Sequence, residues 1–294
     1  MATYKTYDTV GIREDLQNAI YDISPTTTPF MSTIGKTTAK NTYHEWQTDS
    51  LADVNLDNAQ VEGADAVSAT LTPTTRVGNY TQISDKVIQV STTDDKVDKA
   101  GRSTETAYQL AKASAEIKRD MESILLSDQV KDAGTASTPR KLGGIQSWLT
   151  TNVVDGAAGA FTEDMLKEAV LKAYESGGEP SMLLVSPKQK QVVSTFAGIA
   201  EQRYAAPKSS ATTIIGAADV YLSDFGTLSV VPDRFLDDDV ALVLDPSMAN
   251  TCYLRPFKQT QLAKMGDSEK HLLNVEYTLV VKNEAAHAMV NNLV

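Results

Sequence analysis

One uninterrupted stretch, Arg76 to Asp128, limits the folds open to this chain more than any other feature. No proline interrupts it. It opens as RVGNYTQISDKVIQVS, whose β-branched and alternating residues predict one long strand. It turns through TDDKVDKAGRS and continues as TETAYQLAKASAEIKRDMESILLSD, which predicts a single helix about 38 Å long at 1.5 Å per residue. A second strand-like run, Asn41–Gln47, precedes it, and a polar, small-residue segment, Asp49–Pro73, lies between the two. Paired strands with such a segment between them make a long arm feeding a straight helical spine. A structureless loop as long as Leu51–Thr75 is uncommon in a compact domain unless it has a task. It is read as the tip of the arm, and an arm of this kind reaches a neighbouring molecule.

The helix carries Ala107, Leu110, Ser114, Ile117, Met121 and Ile124 at steps of three and four, which predicts one narrow apolar stripe. Small residues in the stripe suit close packing against a sheet. Lys112–Glu116 and Lys118–Glu122 have the i,i+4 spacing of surface ion pairs, each worth a few tenths of a kcal/mol at most.

The rest of the chain surrounds this spine. Gly11–Ile23 has helical spacing, and Ser24-Pro25 ends it, because a residue before proline avoids the helical region. SPTTTPFMS then reads as extended, kinked by two prolines. From Lys131 to Gly159 the composition turns to Gly, Ala, Thr and Asp, a candidate boundary anchored by Ile145, Trp148 and Leu149. An α/β pattern follows. Thr162 is a helix N-cap, with Phe161 and Leu166 at staple spacing, and the helix ends at Gly177-Gly178. SMLLVS is a buried strand. Ser186-Pro187-Lys188-Gln189 supplies an N-cap, a first-position proline and a capping-box glutamine for a helix stopping near Gly198. Tyr204–Ala218 reads as an exposed loop, Val220–Ser223 and Leu228–Val231 as a hairpin, and Val240–Leu244 as a buried strand. Near the C-terminus Leu273, Val275, Tyr277, Leu279 and Val281 share one strand face by period two. Asn274, Glu276, Thr278 and Lys282 fall on the opposite, wetted face. The natural partner of this strand is the sheet at the base of the arm.

The residues offer little chemistry. At 294 residues the chain can bury a core of one large or two modest domains. A net charge of −11 argues against binding nucleic acid through a basic face. The single cysteine, Cys252, permits no intrachain disulfide and reads as a small buried hydrophobe. The N-terminus MATYKTYDTV lacks the apolar run of a signal peptide, and no segment approaches the roughly 20 apolar residues that span a bilayer. The expectation is a cytosolic chain without a membrane role. Ile34-Gly35-Lys36-Thr37 resembles the end of a phosphate loop, but Phe30 stands where that loop needs glycine. Asp237-Asp238-Asp239 lacks calcium-loop spacing and reads as a solvated turn. His44, His271 and His287 form no i,i+4 metal pair, and the G-x-S-x-G pattern is absent. No catalytic, cofactor-binding or metal-ligating residue is assigned.

The order of these elements resembles the major capsid proteins of tailed double-stranded DNA phages, the HK97-type capsid fold of the α+β class. GIREDLQNAIYDISPTTTPFMSTIGK resembles the N-terminal arm of one branch. Thr42 to Asp49 resembles the strand after it. RVGNYTQISDKVIQVS, with KAGR and EIKRDME, resembles the extended β-hairpin loop leading into the spine helix. The resemblance implies an N-terminal arm over residues 1–40, an extended loop over 41–92, a peripheral domain with the spine helix over 93–159, an axial domain over 160–255, and return strands to the peripheral domain over 256–294. It implies pentamers and hexamers of the chain in an icosahedral shell, assembled in the host cytoplasm, enclosing the DNA genome without sequence-specific binding. Because Met1 stands directly at the arm, it implies a separate scaffold protein, along with a portal and a possible decoration protein. An encapsulin-like nanocompartment shares the fold and is the first alternative; a soluble α/β enzyme is the second.

Overall fold

The structure, a computed structural model, describes residues 27–294 except 53, 64, 66, 67, 69, 70, 100, 102, 197–219 and 265. The expected helix at Gly11–Ile23 and loop at Tyr204–Ala218 lie outside the described residues.

The run 76–91 is two strands rather than one. β3 (Thr75–Tyr80) pairs antiparallel with β2 (Tyr43–Thr48), from Tyr43↔Tyr80 to Thr48↔Thr75. β4 (Gln82–Ser91) pairs antiparallel with β11 (Ser268–Val281), from Gln82↔Tyr277 to Ser91↔Ser268. Thr81 makes the crossing between the two sheets. It is fully buried, its N–H donates to the Thr42 carbonyl at 2.8 Å, and its hydroxyl donates to Glu276 Oε1 at 2.8 Å. Local alternation cannot show that the two halves of one extended run find different partners.

The spine helix, α3 (Glu105–Leu126), has 22 residues and is capped by the Thr104 hydroxyl, which accepts from the Ala107 N–H. Its buried face is Ala113, Ile117, Met121, Glu122, Leu125 and Leu126. Leu110 and Ile124 are only partly buried and Ala107 is exposed, so the expected stripe holds through Ile117 and Met121 and rotates beyond them. The rotation follows from packing on two sides. The helix lies on β4 and β11, and its C-terminal half also meets α1 (Pro29–Thr33) and α4 (Ile145–Trp148). Neither expected i,i+4 pair forms. Glu116 takes Lys86 of β4 at 2.6 Å, and Glu122 is buried. A short helix, α2 (Thr92–Lys96), fills the turn between β4 and α3. Pro29 starts α1 as its first residue, where a missing N–H costs nothing, instead of kinking an extended segment.

A four-stranded sheet has the order β1-β10-β11-β4, with β1 (Gly35–Thr38) parallel to β10 (Ala249–Gln261). β10 has no clear alternation and contains Pro256. Register shifts between Tyr253 and Lys258 absorb that irregularity. On β11 the five expected core residues are buried. Glu276, Thr278 and Val280 on the opposite face are buried as well, because Ala39, the arm base and the 131–144 segment cover it.

A six-stranded sheet has the order β5-β12-β9-β6-β8-β7. Its strands are β5 (Val153–Gly159), β6 (Met182–Val185), β7 (Val220–Ser223), β8 (Gly226–Pro232), β9 (Ala241–Leu244) and β12 (Ala288–Leu293). β6 and β9 are buried on both faces. Met182, Leu184, Leu242 and Leu244 join the core that holds the spine helix, while Leu183, Val185, Ala241 and Val243 join a second core under α5 (Glu163–Glu175). Period-two alternation thus makes this sheet the wall between two cores. β5 falls inside the Gly- and Ala-rich 131–159 stretch, and with β12 it takes the sheet beyond residues 160–255. Thr162 caps α5, and Gly177, at φ +84°, lets the chain leave it. Ser186 caps α6 (Pro187–Val193), which stops before Gly198. Gln189 does not complete a capping box: its amide donates to the Asp238 carbonyl at 2.8 Å.

Candidate assembly surfaces

The β2–β3 hairpin is a two-stranded arm fastened firmly at its root. Asn79 is fully buried and makes the main joint. Its amide donates to the carbonyls of Gly143 at 3.1 Å and Leu279 at 2.9 Å, and its oxygen accepts the Gly143 N–H at 2.8 Å. Trp46 of β2 lies 5.4 Å from Trp148 between ring centroids. Lys131 Nζ sits 4.8 Å over the Trp148 ring and donates to the Gly78 carbonyl at 2.7 Å. The far end is different. Leu51, Val54, Leu56, Val61 and Leu71 are 80–97% exposed. A fixed root and an apolar, uncovered tip make the arm a candidate contact surface.

A second apolar surface lies on the β7–β8 hairpin. Val220, Leu222 and Phe225 are exposed there, and the Phe225 ring meets Tyr174 of α5 at 4.8 Å.

The root of the arm also meets a buried charge cluster. Glu276 is only 4% exposed and accepts from the Thr81 hydroxyl, from Arg140 at 2.8 Å and from Arg255 at 2.7 Å. Burial alone would raise its carboxyl. The Thr81 hydroxyl and the two guanidinium groups outweigh burial and hold it below the usual carboxylate range. Replacing Glu276 with Ala leaves a buried hydroxyl and the partly buried Arg140 unanswered, while the more exposed Arg255 turns to water, so Glu276→Ala is expected to cost about 2 kcal/mol. Urea denaturation of the unassembled subunit measures this, and a loss below about 1 kcal/mol would contradict the cluster's structural role.

The residues weighed for chemistry are scattered. Gly35, Lys36 and Thr37 lie on β1, a strand and not a phosphate loop. Asp237, Asp238 and Asp239 are exposed before β9. Among the described residues no group of three His, Cys, Asp or Glu is placed to hold a metal ion. His44 is on β2 and His271 on β11. His287 is fully buried, and its Nδ1 accepts the Asp245 N–H at 3.1 Å; burial pushes its pKa down to about 4, so it is neutral. Cys252 is buried beside the Thr37 hydroxyl, and burial pushes the thiol up, away from the reactive thiolate.

Comparison with known proteins agrees with this geometry. A family model described as SU10 major capsid protein matches residues 2–294. The major capsid protein of Escherichia phage Phieco32 is 30% identical, over 96% of this chain and 95% of that protein. The capsid structure of the cyanophage P-SCSP1u superposes with a TM-score of 0.65 at 10% identity, covering 96% of this chain and 93% of the other. The SrpI encapsulin of Synechococcus elongatus superposes at 0.61 with 15% identity, covering 97% and 96%. The last two share the fold, which is the HK97-type capsid fold.

Proposed function

The chain belongs to the SU10 major capsid protein family, whose members form the phage shell, and we propose that its copies assemble by laying the β2–β3 arm of each on its neighbour. The observation that carries this reading is the contrast along the arm, fully pinned at Asn79 and fully exposed in its apolar residues at the tip.

The subunit divides, in this reading, into an arm before residue 41, an extended loop over 41–92 whose last strand, β4, returns into the body, a peripheral domain built on α3 and the four-stranded sheet that β4 completes, and an axial domain built on the six-stranded sheet. The axial domain presents the β7–β8 hairpin around the fivefold and sixfold axes of an icosahedral shell. The role is structural, with no reaction catalysed. An acidic wall, at net charge −11, repels the enclosed DNA instead of trapping it during packing. Assembly takes place in the host cytoplasm, with a scaffold protein, a portal and a decoration protein as further partners.

Electron microscopy of the purified chain, alone and co-expressed with its neighbouring genes, tests the proposal. Closed polyhedral shells or rings of five and six are expected. A monodisperse monomer or dimer under both conditions would remove it.

A further inference from the structure

Residues 49–75 carry five carboxylates, Asp49, Asp53, Asp57, Glu62 and Asp65, and no Lys or Arg. With their exposed leucines and valines they need a partner surface that is both apolar and positively charged. Such surface is scarce in a chain of net charge −11. Several of the chain's lysines are neutralised where they stand: Lys86 by Glu116, Lys99 by Asp94, Lys167 by Glu163 and Lys172 by Glu168.

One face meets the need. A groove of about 360 Å³ runs over β1 and β10, lined by Lys36, Thr38, Ala39, Tyr253, Leu254 and Pro256. The two segments that build it, residues 27–44 and 249–264, contain no Asp or Glu. They contribute Lys36, Lys40, Arg255, Lys258 and Lys264, all exposed; Lys36 lines the groove, and Lys264 faces Glu269 at 3.9 Å. Among the described residues no carboxylate lies within ion-pair distance of Lys36, Lys40 or Lys258, while Arg255 is held by Glu276. β1 is also the outermost strand of its sheet, paired with β10 on one side only among the described residues. The subunit's own tip does not fill the groove, because its apolar residues are exposed. Six residues of β2 carry it about 20 Å outward.

We propose that the β1–β10 groove is the acceptor for residues 49–75 of a second copy of the chain, Lys36 in the groove and Lys40 and Lys258 on the segments that build it answering the tip carboxylates, and Tyr253, Leu254 and Pro256 receiving the tip's leucines and valines. This rests on the reading that the arm reaches a neighbour, and it adds where the arm lands and what selects the landing place. Charge complementarity of this kind sets register and steers encounter, and it weakens with salt.

The test pairs charge reversals. The double variant Lys36→Glu/Lys258→Glu changes two exposed side chains and is expected to keep the parent circular dichroism spectrum while yielding at least 10-fold fewer shells by sedimentation. Asp57→Lys/Glu62→Lys is expected to lower the yield similarly, and combining the two pairs to restore at least half of it. Parent-level assembly of the Lys36→Glu/Lys258→Glu variant, or its failure without rescue by the tip reversal, would overturn the groove as acceptor. A shortened arm that still abolishes shells would then leave the arm reading standing, and one that assembles normally would remove both.

Discussion

Replacing Glu122 with Ala is expected to cost about 3 kcal/mol of subunit stability, because two buried N–H donors lose their acceptor at roughly 1–3 kcal/mol each. Glu122 is the residue of the spine helix whose side chain hydrogen-bonds the backbone of α1. It is fully buried, with Oε1 accepting the Phe30 N–H at 2.6 Å and Oε2 the Met31 N–H at 2.9 Å. Those N–H groups belong to the first turn of α1, where a helix has no partners of its own. Phe30, Met31 and Ile34 are buried in the core beside them, so in Glu122→Ala two donors lose their acceptor where water cannot replace it. Urea denaturation of the unassembled subunit at neutral pH reads the loss, and a cost below about 1 kcal/mol would show that α1 is held by its apolar side chains alone.

The same carboxyl gives this contact a pH dependence. Asp233 is also buried, accepts the Phe235 N–H at 2.8 Å through Oδ1, and has no donor for Oδ2. Burial, with Asp233 beside it, pushes the Glu122 carboxyl up to about 8, and burial raises Asp233 too, so the pair keeps a proton into the neutral range. The native state then binds one proton more than the unfolded chain between about 4.5 and about 8. This contribution to stability is fully present below 4.5, falls by at most about 1.4 kcal/mol per unit as pH rises through that window, and is lost above it. Glu122→Gln keeps an acceptor and supplies an amide donor to Asp233. It should cost less than Glu122→Ala at pH 6 and flatten the slope between pH 6 and 8. An unchanged slope in Glu122→Gln would assign the proton elsewhere.

Glu122 owes its role to a partner distant in sequence. Its spacing from Lys118 is that of a surface pair, and nothing within four residues reveals that α1, more than ninety residues earlier, comes to sit on it. Glu276 was hidden in the same way: alternation put it on a wetted face, and Arg140, Arg255 and Thr81 bury it from three distant segments. What depends on neighbours in sequence was legible. The Thr162 and Ser186 caps, the Gly177 exit, the buried SMLLVS strand and the apolar face of β11 all form as their local patterns require. Pairing was legible only in part. The crossing at Thr81 and the irregular β10 are decided by which strand each run meets, and β5 gives no apolar alternation to read. The arm was visible because its tip lacks the large apolar residues of a core in sequence order, yet the few it has are the most exposed in the described structure.

Replacing residues 49–74 with Asn-Gly is expected to leave a folded subunit that forms no stable shells. The two-residue turn suits the Thr48↔Thr75 register of β2 and β3, so the root of the arm can close as a hairpin. The removed residues bury little of their own surface, since every described one is exposed, so urea stability should stay within about 1 kcal/mol of the parent. Assembly should respond differently. A stable interface buries about 800 Å² per partner, and a reaching arm supplies area that the subunit body alone does not offer. In a closed shell the same contact is lost at every subunit, so even a few kcal/mol per interface multiplies across the particle, and shell yield should fall more than 10-fold. Circular dichroism and sedimentation on the same preparation separate the two effects. Parent-level shells from the shortened chain would mean that the body faces alone hold the capsid and that the exposed tip serves some other partner.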